Sequence, residues 1–551
     1  MTKMTGKDAM IEILLKEDVE YVFGLPGATE TLFLDALQDH PEIKFILGLH
    51  ETVPLGMAEG YSRASGKPAF VNLHTSTGLS AAVPLLINAH GGNVPLVITA
   101  GNQSSKALLQ EAPLGEYDLT QMVEQFTKSS VEVRHIGDLE IAMRRAFKVA
   151  TQAPCGPVFV SLPQDIMDEA IDFNYQPSGQ NYDKMRPDSD AIEAATVLLC
   201  NAKRPAIVLG PGIARDEALT EIVRLAEISG SPVFQSHMGD VNFPVKHPHY
   251  HGKPEDENGF NKNLVDNLDL LLVIGIRQEL VAGAFRPKHI DIIQIDNDPW
   301  EIGKNYPVTV GIQGNIKMSI DELNRGFLEK VTNSVREVVE TRVSDIKKKK
   351  EELTANRAAK ASEESDNFPM SATRLMKELS AILPTGCLIV DDSWSSSAAL
   401  RQSVDIAEPR SYFRFRHGGS IGWGMSGCLG VKLACPDQPV VAITGDGSAA
   451  WGFQSLWTAA AYNIPVLFVV CANSTYQYVK AGKLRKLGDK AKGRFMGLEF
   501  KSPRISFWEL AKSLGVPGQR VDKPEDLQGA FKSALKIEGP SVVEVTIEVK
   551  E

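Results

Sequence analysis

The stretch PVVAITGDGSAAWGFQSLWTAAAYNIPVLFVVCANSTY, Pro439 to Tyr476, decides the fold. The apolar runs PVVAIT and PVLFVVCA are typical of buried strands, and SLWTAAAYN between them is typical of a helix. A strand, a crossover helix and a second strand form one βαβ unit, whose two strands lie parallel in one sheet. The stretch therefore predicts an open parallel α/β sheet.

Polar side chains directly follow both predicted strands. Gly445-Asp446-Gly447 comes after the first strand and Asn473 after the second. Taken singly, a Gly-Asp-Gly sequence is more often a turn than a binding site, and an asparagine after a strand is more often a helix cap. Because open parallel sheets bind ligands beyond the carboxyl ends of their strands, both side chains should reach one crevice. Carboxylate, amide and carbonyl oxygens suit Mg²⁺ with phosphate oxygens, and the glycines leave room for a diphosphate to approach backbone N–H groups.

Strands and helices alternate along all 551 residues, which predicts an α/β fold with three doubly wound parallel-sheet domains. We place the first domain at 1–178, a central α/β domain at 188–335 and the third at 369–551. The segment 336–368 is rich in charged residues and alanine, so we interpret it as a solvated helix and linker.

Composition excludes several function classes. A formal net charge of -11 argues against sequence-independent binding of nucleic acid, which requires a surplus of Lys and Arg. The six cysteines form no CxxC pair and no zinc spacing, which predicts free thiols in a reducing compartment. The N-terminus has no apolar signal segment, and the apolar runs are far shorter than a membrane span. We therefore expect a cytoplasmic protein without nucleic acid or membrane partners.

The Gly-Asp-Gly and Ala472-Asn473-Ser474-Thr475 segments resemble the metal-binding signature of thiamin diphosphate enzymes. This resemblance implies thiamin diphosphate bound through Mg²⁺, or through Ca²⁺ or Mn²⁺, with Asp446, Asn473 and the backbone carbonyl of Thr475 as metal ligands. The family usually ends this signature in Asn-Asn. Here Ala472 replaces the first asparagine, and Asn473 keeps the second, which is the metal ligand. The resemblance adds four residues to the cofactor site, namely Gly445, Gly447, Ser448 and Tyr476.

The stretch ILGLHETVPLGMAEGYSRASGKPAFVNLH, residues 46–74, is similar to the pyrimidine-binding domain of the same family. The similarity implies that Glu51 is the catalytic glutamate that binds the cofactor's aminopyrimidine ring and promotes loss of the thiazolium C2 proton. Such a glutamate should lie in an apolar, water-poor site. A glutamate at this place would otherwise be a carboxylate favoured by the helix dipole. Glu59 is expected on the helix surface.

The glycine-rich stretch FRHGGSIGWGMSGCLGVKLACP, residues 415–436, is similar to the family segment that shapes the bent cofactor. By this similarity Ile421 supports the bend and the carbonyl of Gly419 accepts a hydrogen bond from the exocyclic amine. The GxGxxG within it is a weak dinucleotide signal. Ser393 and Ser395 would offer hydroxyl groups to the diphosphate. The family also implies a homodimer at minimum, with a homotetramer expected, in which Glu51 faces Asp446 of another subunit.

Within the family, the chain looks most like the benzoylformate decarboxylases, although IQIDNDPWEIGKN in the central domain looks more like acetohydroxyacid synthase. His74 stands where the benzoylformate decarboxylases keep a histidine that shuttles protons, a task that suits a side chain titrating near neutral pH. Two other polar groups of their pocket are replaced by alanines. The predicted substrate pocket contains Pro26, Gly27, Ala28, His74 and Ala282.

The resemblance implies a thiamin diphosphate- and Mg-dependent non-oxidative decarboxylase of 2-oxo acids, acting through the C2 ylide and the carbanion-enamine, with carboligation as a side activity. Two alternatives remain: an acetolactate synthase-like carboligase or acyl-transfer lyase, and a scaffold that binds the cofactor without catalysis. The natural substrate, a flavin or nucleotide in the central domain, and the choice between dimer and tetramer stay open.

A basic segment, KAGKLRKLGDKAKGRFMG at 480–497, begins five residues after Thr475. A solvated surface loop is one interpretation. A cationic rim at the mouth of the site is the other, and it would raise the local concentration of anionic substrates. The second interpretation predicts a small-molecule substrate with charge beyond one carboxylate, or an acyl compound with a phosphate-bearing tail.

Overall fold

A computed structural model describes residues 2–108, 110–115, 118–179, 184–235, 239–252, 267–277 and 290–549. The chain divides into two compact units. The first unit comprises residues 1–181, 367–398 and 417–551, and the second comprises residues 182–366 and 399–416. Among the described helices, none is both long enough and apolar enough to span a bilayer. None of the six cysteines, all within the described residues, forms a disulfide.

The N-terminal part of the first unit is built on a parallel sheet. Its strands are β1 (Thr2–Thr5), β2 (Tyr21–Leu25), β3 (Lys44–Leu47), β4 (Ala69–Leu73), β5 (Leu96–Asn102), β6 (Ser129–Glu132), β7 (Val158–Pro163) and β8 (Ala170–Phe173). Six of them run parallel in the order β3-β2-β4-β5-β7-β6, and β1 pairs with β8 in a separate antiparallel ribbon.

Helices connect these strands. They are α1 (Gly6–Lys16), α2 (Thr31–Leu37), α3 (Thr52–Ser65), α4 (Thr75–Gly91), α5 (Ser105–Leu108), α6 (Leu119–Val123), α7 (Leu139–Thr151) and α8 (Gln164–Asp168), with 3₁₀ turns at Ala28–Glu30, Glu124–Phe126 and Ile136–Asp138. Helix α7 illustrates why they form, since its buried residues recur three and four positions apart and give it one apolar face. That face packs into a core shared with α1 and the sheet.

The second unit carries another six-stranded parallel sheet, with the order β11-β10-β9-β12-β13-β14. The strands are β9 (Pro205–Leu209), β10 (Val233–Gln235), β11 (Tyr250–Gly252), β12 (Leu270–Ile274), β13 (Asp291–Asp296) and β14 (Val310–Gln313). The helices are α9 (Ser189–Asn201), α10 (Gly212–Arg215), α11 (Leu219–Ser229), α12 (Ile316–Lys330) and α13 (Asn333–Glu363). The segment predicted as a linker at 336–368 lies mostly within α13, whose described side chains are exposed apart from a few such as Ile346 and Leu353.

The remaining strands are β15 (Leu388–Asp392), β16 (Tyr412–Phe413), β17 (Val440–Gly445), β18 (Leu467–Ala472), β19 (Gly518–Val521) and β20 (Ser541–Thr546). The third six-stranded sheet contains the parallel neighbours β15-β17-β18-β20-β19 in that order. Its helices are α14 (Ala372–Ser380), α15 (Ser397–Ser403), α16 (Trp423–Ala434), α17 (Asp446–Gly452), α18 (Ser455–Ala461), α19 (Gln477–Leu487), α20 (Phe507–Ser513) and α21 (Leu527–Ala534), with 3₁₀ turns at Trp394–Ser396, Gly488–Ala491 and Pro524–Asp526. The prediction of three α/β domains with parallel sheets is confirmed.

Helices α3 and α16 of the first unit cross in close contact. A Cβ added at Gly60 would lie 2.0 Å from the carbonyl oxygen of Gly427, so the crossing requires glycine there. The expectation that Glu59 lies on the helix surface is wrong, because nearly all of α3 is covered and Glu59 is fully buried. Its carboxylate pairs with the Arg63 guanidinium at 3.2 Å, which compensates its buried charge.

Candidate functional site

Asp446 lies at the carboxyl end of β17 and is the first residue of α17. Its side chain is buried and accepts three backbone hydrogen bonds: from Gly447 N at 2.8 Å, Asn473 N at 2.8 Å and Ser474 N at 2.5 Å. Burial raises the pKa of Asp446 to about 6, although these hydrogen bonds oppose the shift. A bound cation would favour the ionised form of this buried carboxyl group.

Asn473 follows β18, the strand that pairs directly with β17. The hydrogen bond from its backbone N–H to Asp446 shows that the two strand ends meet at one edge of the sheet. The chain then turns sharply, with Ser474 at a φ of 55°, and the Asn473 side-chain oxygen accepts from Thr475 N at 3.1 Å. The Thr475 hydroxyl donates to the Leu498 carbonyl at 2.7 Å, which holds this turn in place.

An open cavity lies at this edge of the sheet, with about 720 Å³ of empty space when the open solvent at its mouth is counted. Eleven of the twelve residues predicted to bind the cofactor line it: Ser393, Ser395, Gly419, Ile421, Gly445, Asp446, Gly447, Ser448, Asn473, Thr475 and Tyr476. The missing one is Glu51. The structure therefore brings together residues that the sequence separates by more than eighty positions.

Trp394, which the sequence analysis did not single out, also lines this cavity. Its indole N–H donates to Asp392 at 2.9 Å, and its ring packs against the Tyr478 ring with centroids 5.1 Å apart. The same Asp392 carboxylate accepts from the backbone N–H groups of Gly422 and Gly424 at 2.8 and 3.2 Å. Asp392 thus ties the cavity wall to the glycine-rich segment that carries Ile421.

The donor set of the cavity fits a diphosphate bound through a divalent cation. No lysine, arginine or histidine is among the described residues that line it, so an anionic ligand meets no basic side chain there. Asp446, the Asn473 amide and the Thr475 carbonyl supply hard oxygen donors at the same edge, as Mg²⁺ prefers. Among the described residues, no group of three or more His, Cys, Asp or Glu side chains offers a competing metal site.

Glu51 and His74 lie together, and both lie outside this cavity. Glu51 is the N-cap residue of α3, and His74 is that of α4, directly after β4. They flank Gly78, since Glu51 Oε1 and the His74 Cβ lie 3.3 and 3.4 Å from the position that a Cβ on Gly78 would take. The Glu51 carboxylate and the His74 side chain therefore lie on either side of Gly78 in the N-terminal part of the first unit.

Gly27, one of the residues predicted for the substrate pocket, lies against His74, another of them. A Cβ on Gly27 would lie 2.3 Å from His74 Nδ1, so the glycine allows the imidazole to pack on the turn after β2. Pro26 lies in the same turn, and Ala28 is exposed at the start of the following 3₁₀ turn. Ala282 lies outside the described residues.

A second carboxylate, Glu30, contacts His74 and was missed by the sequence analysis. Its Oε2 lies 2.9 Å from His74 Nδ1, and the Glu30 side chain is almost fully buried. Its position three residues after Gly27 matches one half of a capping box, in which Glu30 Oε2 accepts from Gly27 N at 2.8 Å, while the glycine has no side chain to form the other half. That spacing was the available sequence signal, but it does not indicate contact with a histidine 44 positions away.

Comparison with known proteins identifies the family. The N-terminal TPP binding domain of thiamine pyrophosphate enzymes matches residues 4–122, their central domain matches 192–323, and their C-terminal TPP binding domain matches 395–545. The chain is 32% identical over 563 residues to benzoylformate decarboxylase from Pseudomonas aeruginosa, with 99% of each chain covered. The chain belongs to the thiamine pyrophosphate enzymes. Thiamine pyrophosphate is the thiamin diphosphate implied by the sequence, so the family prediction is confirmed.

Other thiamine pyrophosphate enzymes are similar over the same length. The chain is 27% identical over 567 residues to a probable acetolactate synthase large subunit from Methanococcus aeolicus, covering 99% of this chain and 92% of that protein. The solved structure of the thiamine diphosphate-dependent 4-hydroxybenzoylformate decarboxylase from Rhodococcus jostii superposes with a TM-score of 0.84 at 28% identity, covering 100% of both chains. This chain is therefore an enzyme of the thiamine pyrophosphate-dependent 2-oxo acid decarboxylase family.

The basic segment of this thiamine pyrophosphate enzyme begins directly after two residues that line the cavity. Tyr478 and Val479, at the start of α19, line the cavity and are half exposed. Lys480 is buried and pairs with Glu499, so it does not belong to an exposed rim. The exposed cations begin at Arg485, at the far end of α19.

Proposed function

We propose that this enzyme is a thiamin diphosphate- and Mg²⁺-dependent, non-oxidative decarboxylase of 2-oxo acids, similar in activity to the benzoylformate decarboxylases. The observation that carries the proposal is that Glu51 and His74 lie on either side of Gly78. A decarboxylase must return a proton to the carbon that has lost CO₂, and a histidine beside the activating glutamate is suited to do so.

Each residue set has a separate task. Asp446, Asn473 and the Thr475 carbonyl would hold Mg²⁺ and the diphosphate, while Ile421 and Gly419 would position the thiazolium and aminopyrimidine rings. When bound, thiamin diphosphate supplies the electron sink that makes loss of CO₂ from a 2-oxo acid possible. Glu51 would hold the pyrimidine, and His74 would move the proton.

A complete site requires two chains in this proposal. The 720 Å³ cavity contains the residues proposed for the metal and diphosphate, whereas Glu51 and His74 are absent from its lining. In a homodimer, the part of one chain that carries Glu51 and His74 would cover the cavity of its partner. The two parts would then form one complete active site. Two such dimers would form the expected homotetramer.

Carboligation is the second candidate activity. The similarity to an acetolactate synthase large subunit supports it, and Ala28 leaves the pocket beside His74 without a polar side chain at that position. A carboligase would use the same cofactor site but would join a second 2-oxo acid or aldehyde to the reacting carbon instead of a proton.

Product analysis tests the proposal. The purified enzyme is loaded with thiamin diphosphate and Mg²⁺ and supplied with a panel of aromatic, aliphatic and dicarboxylic 2-oxo acids, and products are identified by NMR. We expect at least one acid to give CO₂ and its aldehyde in equal amounts. An acyloin or acetohydroxy acid as the main product would establish the carboligase instead, and absence of turnover across the panel would contradict both activities.

A further inference from the structure

Glu30 is held as a buried hydrogen-bond acceptor behind His74. Its Oε1 accepts from Gly101 N at 2.8 Å and from the Thr29 hydroxyl at 2.7 Å, and its Oε2 accepts from Gly27 N at 2.8 Å. The glutamate side chain is 1% exposed. Because three protein donors already point at the two oxygens, the group is arranged as a carboxylate that only accepts hydrogen bonds.

The contact with His74 completes this arrangement. His74 Nδ1 lies 2.9 Å from Glu30 Oε2 and 3.0 Å from the Thr29 hydroxyl oxygen, whose own proton is directed to Glu30 Oε1. A lone pair on Nδ1 would face a carboxylate at hydrogen-bond distance, which is repulsive, whereas an Nδ1–H group donates to it. The network therefore requires the proton on Nδ1.

We propose that Glu30 is a positioning residue that fixes the Nδ1–H tautomer of His74 and so reserves Nε2 for proton transfer to substrate. Among the described residues, no hydrogen bond engages Nε2. In each turnover the imidazolium gives its Nε2 proton to the carbon that has lost CO₂, retains Nδ1–H, and regains a proton at Nε2 from solvent. The Glu30 carboxylate stays ionised and stabilises the positive charge on the imidazolium.

The arrangement of the backbone makes this role specific to glutamate. Gly27 leaves the space into which the imidazole packs, and the Gly27 N–H anchors the oxygen that the imidazole contacts. In a Glu30→Gln variant, the amide NH₂ group is itself a hydrogen-bond donor. In either orientation of the amide it would face another donor, either a backbone N–H or the His74 Nδ1–H group. Loss of the carboxylate thus removes the preference for the Nδ1–H tautomer over the Nε2–H tautomer.

The tautomer can be measured directly in the wild-type holoenzyme. Solid-state NMR of enzyme labelled with ¹⁵N-histidine gives the protonation of each ring nitrogen, and the His74 signals are assigned by their loss in His74→Gln. We expect neutral His74 to carry its proton on Nδ1, and the Glu30→Gln variant to show the Nε2–H form. A wild-type Nε2–H tautomer would overturn the proposal without any Glu30 variant having to fold.

A double-mutant cycle tests the effect on turnover and rests on the proposed decarboxylase function. We expect His74→Ala and Glu30→Gln each to lower kcat by about 100-fold, the lower end of the range for a positioned acid–base group, with KM changing less than kcat. In the His74→Ala background, Glu30→Gln should add less than about twofold, since residues that act through one another are not additive.

The matched control is Glu132→Gln. Glu132 also accepts side-chain hydrogen bonds within the first sheet, from Asn102 and Ser161, and among the described residues no histidine is hydrogen-bonded to it. We expect its kcat to equal that of the wild type. Additive effects of Glu30→Gln and His74→Ala would show a general structural role and overturn the proposal. If the wild type turns over no 2-oxo acid, the proposed function fails, while the NMR result still decides the tautomer.

Discussion

Replacement of Asp446 by Asn should weaken the binding of thiamin diphosphate in the presence of Mg²⁺. One carboxylate oxygen of Asp446 accepts two backbone N–H groups, from Asn473 and Ser474, and the other accepts one, from Gly447. The amide oxygen of Asn would take the place of the first oxygen. Its NH₂ group would then face the Gly447 N–H and the metal, so the variant loses a charge where the proposed cation sits.

The magnitude follows from these contacts. A contact to a charged group contributes about 1.5–3 kcal/mol, which corresponds to roughly a 10- to 150-fold change in dissociation constant. We expect the dissociation constant of thiamin diphosphate to rise by this factor or more. The reason is that the metal also loses the only carboxylate ligand in its proposed set. The cofactor can be titrated by tryptophan fluorescence, since Trp394 lines the cavity.

Asp296→Asn is the matched control for this experiment. Asp296, in β13 of the second unit, is also buried, and burial raises its pKa to about 6. We expect its replacement to leave cofactor affinity unchanged. Melting temperatures of both variants without cofactor separate lost binding from lost stability. Unchanged affinity in Asp446→Asn, or wild-type affinity that persists in EDTA, would refute the assignment of Asp446 as a metal ligand.

Three further predictions concern other regions. Glu51→Gln should retain cofactor affinity but lower kcat about 100-fold or more, and near-wild-type exchange of the cofactor's C2 proton, followed by NMR, would contradict its role. Replacing Lys483, Arg485 and Lys486 with Ala should raise KM several-fold at low ionic strength with kcat unchanged; an unaltered KM would leave the basic segment a surface feature. Burial lowers the pKa of His251 from 6.5 in the unfolded chain to about 4 in the folded chain. Between these two values the unfolded chain binds a proton at His251 and the folded chain does not. Stability should therefore fall by about 2 kcal/mol between pH 7 and pH 5 from this residue, and urea unfolding of His251→Asn should show a smaller fall.

The proposed metal site was the part of the molecule most accessible to sequence reasoning. Asp446 and Asn473 each follow an apolar strand, and parallel strands joined by one crossover end at the same edge of a sheet. Their meeting follows from local patterns and topology. The wall formed by Trp394 does not, because its packing on Tyr478 depends on side-chain directions that strand patterns leave undetermined.

Long-range packing explains what sequence reasoning missed or misjudged. The sequence of α3, which contains Glu59, suggests a polar face exposed to solvent. In the folded chain, however, α16 packs against α3 and Glu59 is buried. Glu30 reads as a capping residue, and its contact with His74 depends on how two neighbouring strands, β2 and β4, align in the sheet. Lys480 reads as part of a solvated run, although Glu499 and the Phe495 ring enclose it.

The proposal that two chains share each active site is tested most directly by mixing two inactive variants. Glu51→Gln lacks the activating glutamate, and Asp446→Asn lacks the metal carboxylate. In a hybrid dimer one site carries both changes and the other carries neither. After denaturation and refolding of an equal mixture, we expect thiamin diphosphate-dependent CO₂ release at about a quarter of the wild-type rate, because half the dimers are hybrids with one intact site. A mixture no more active than the separate variants would contradict the shared site.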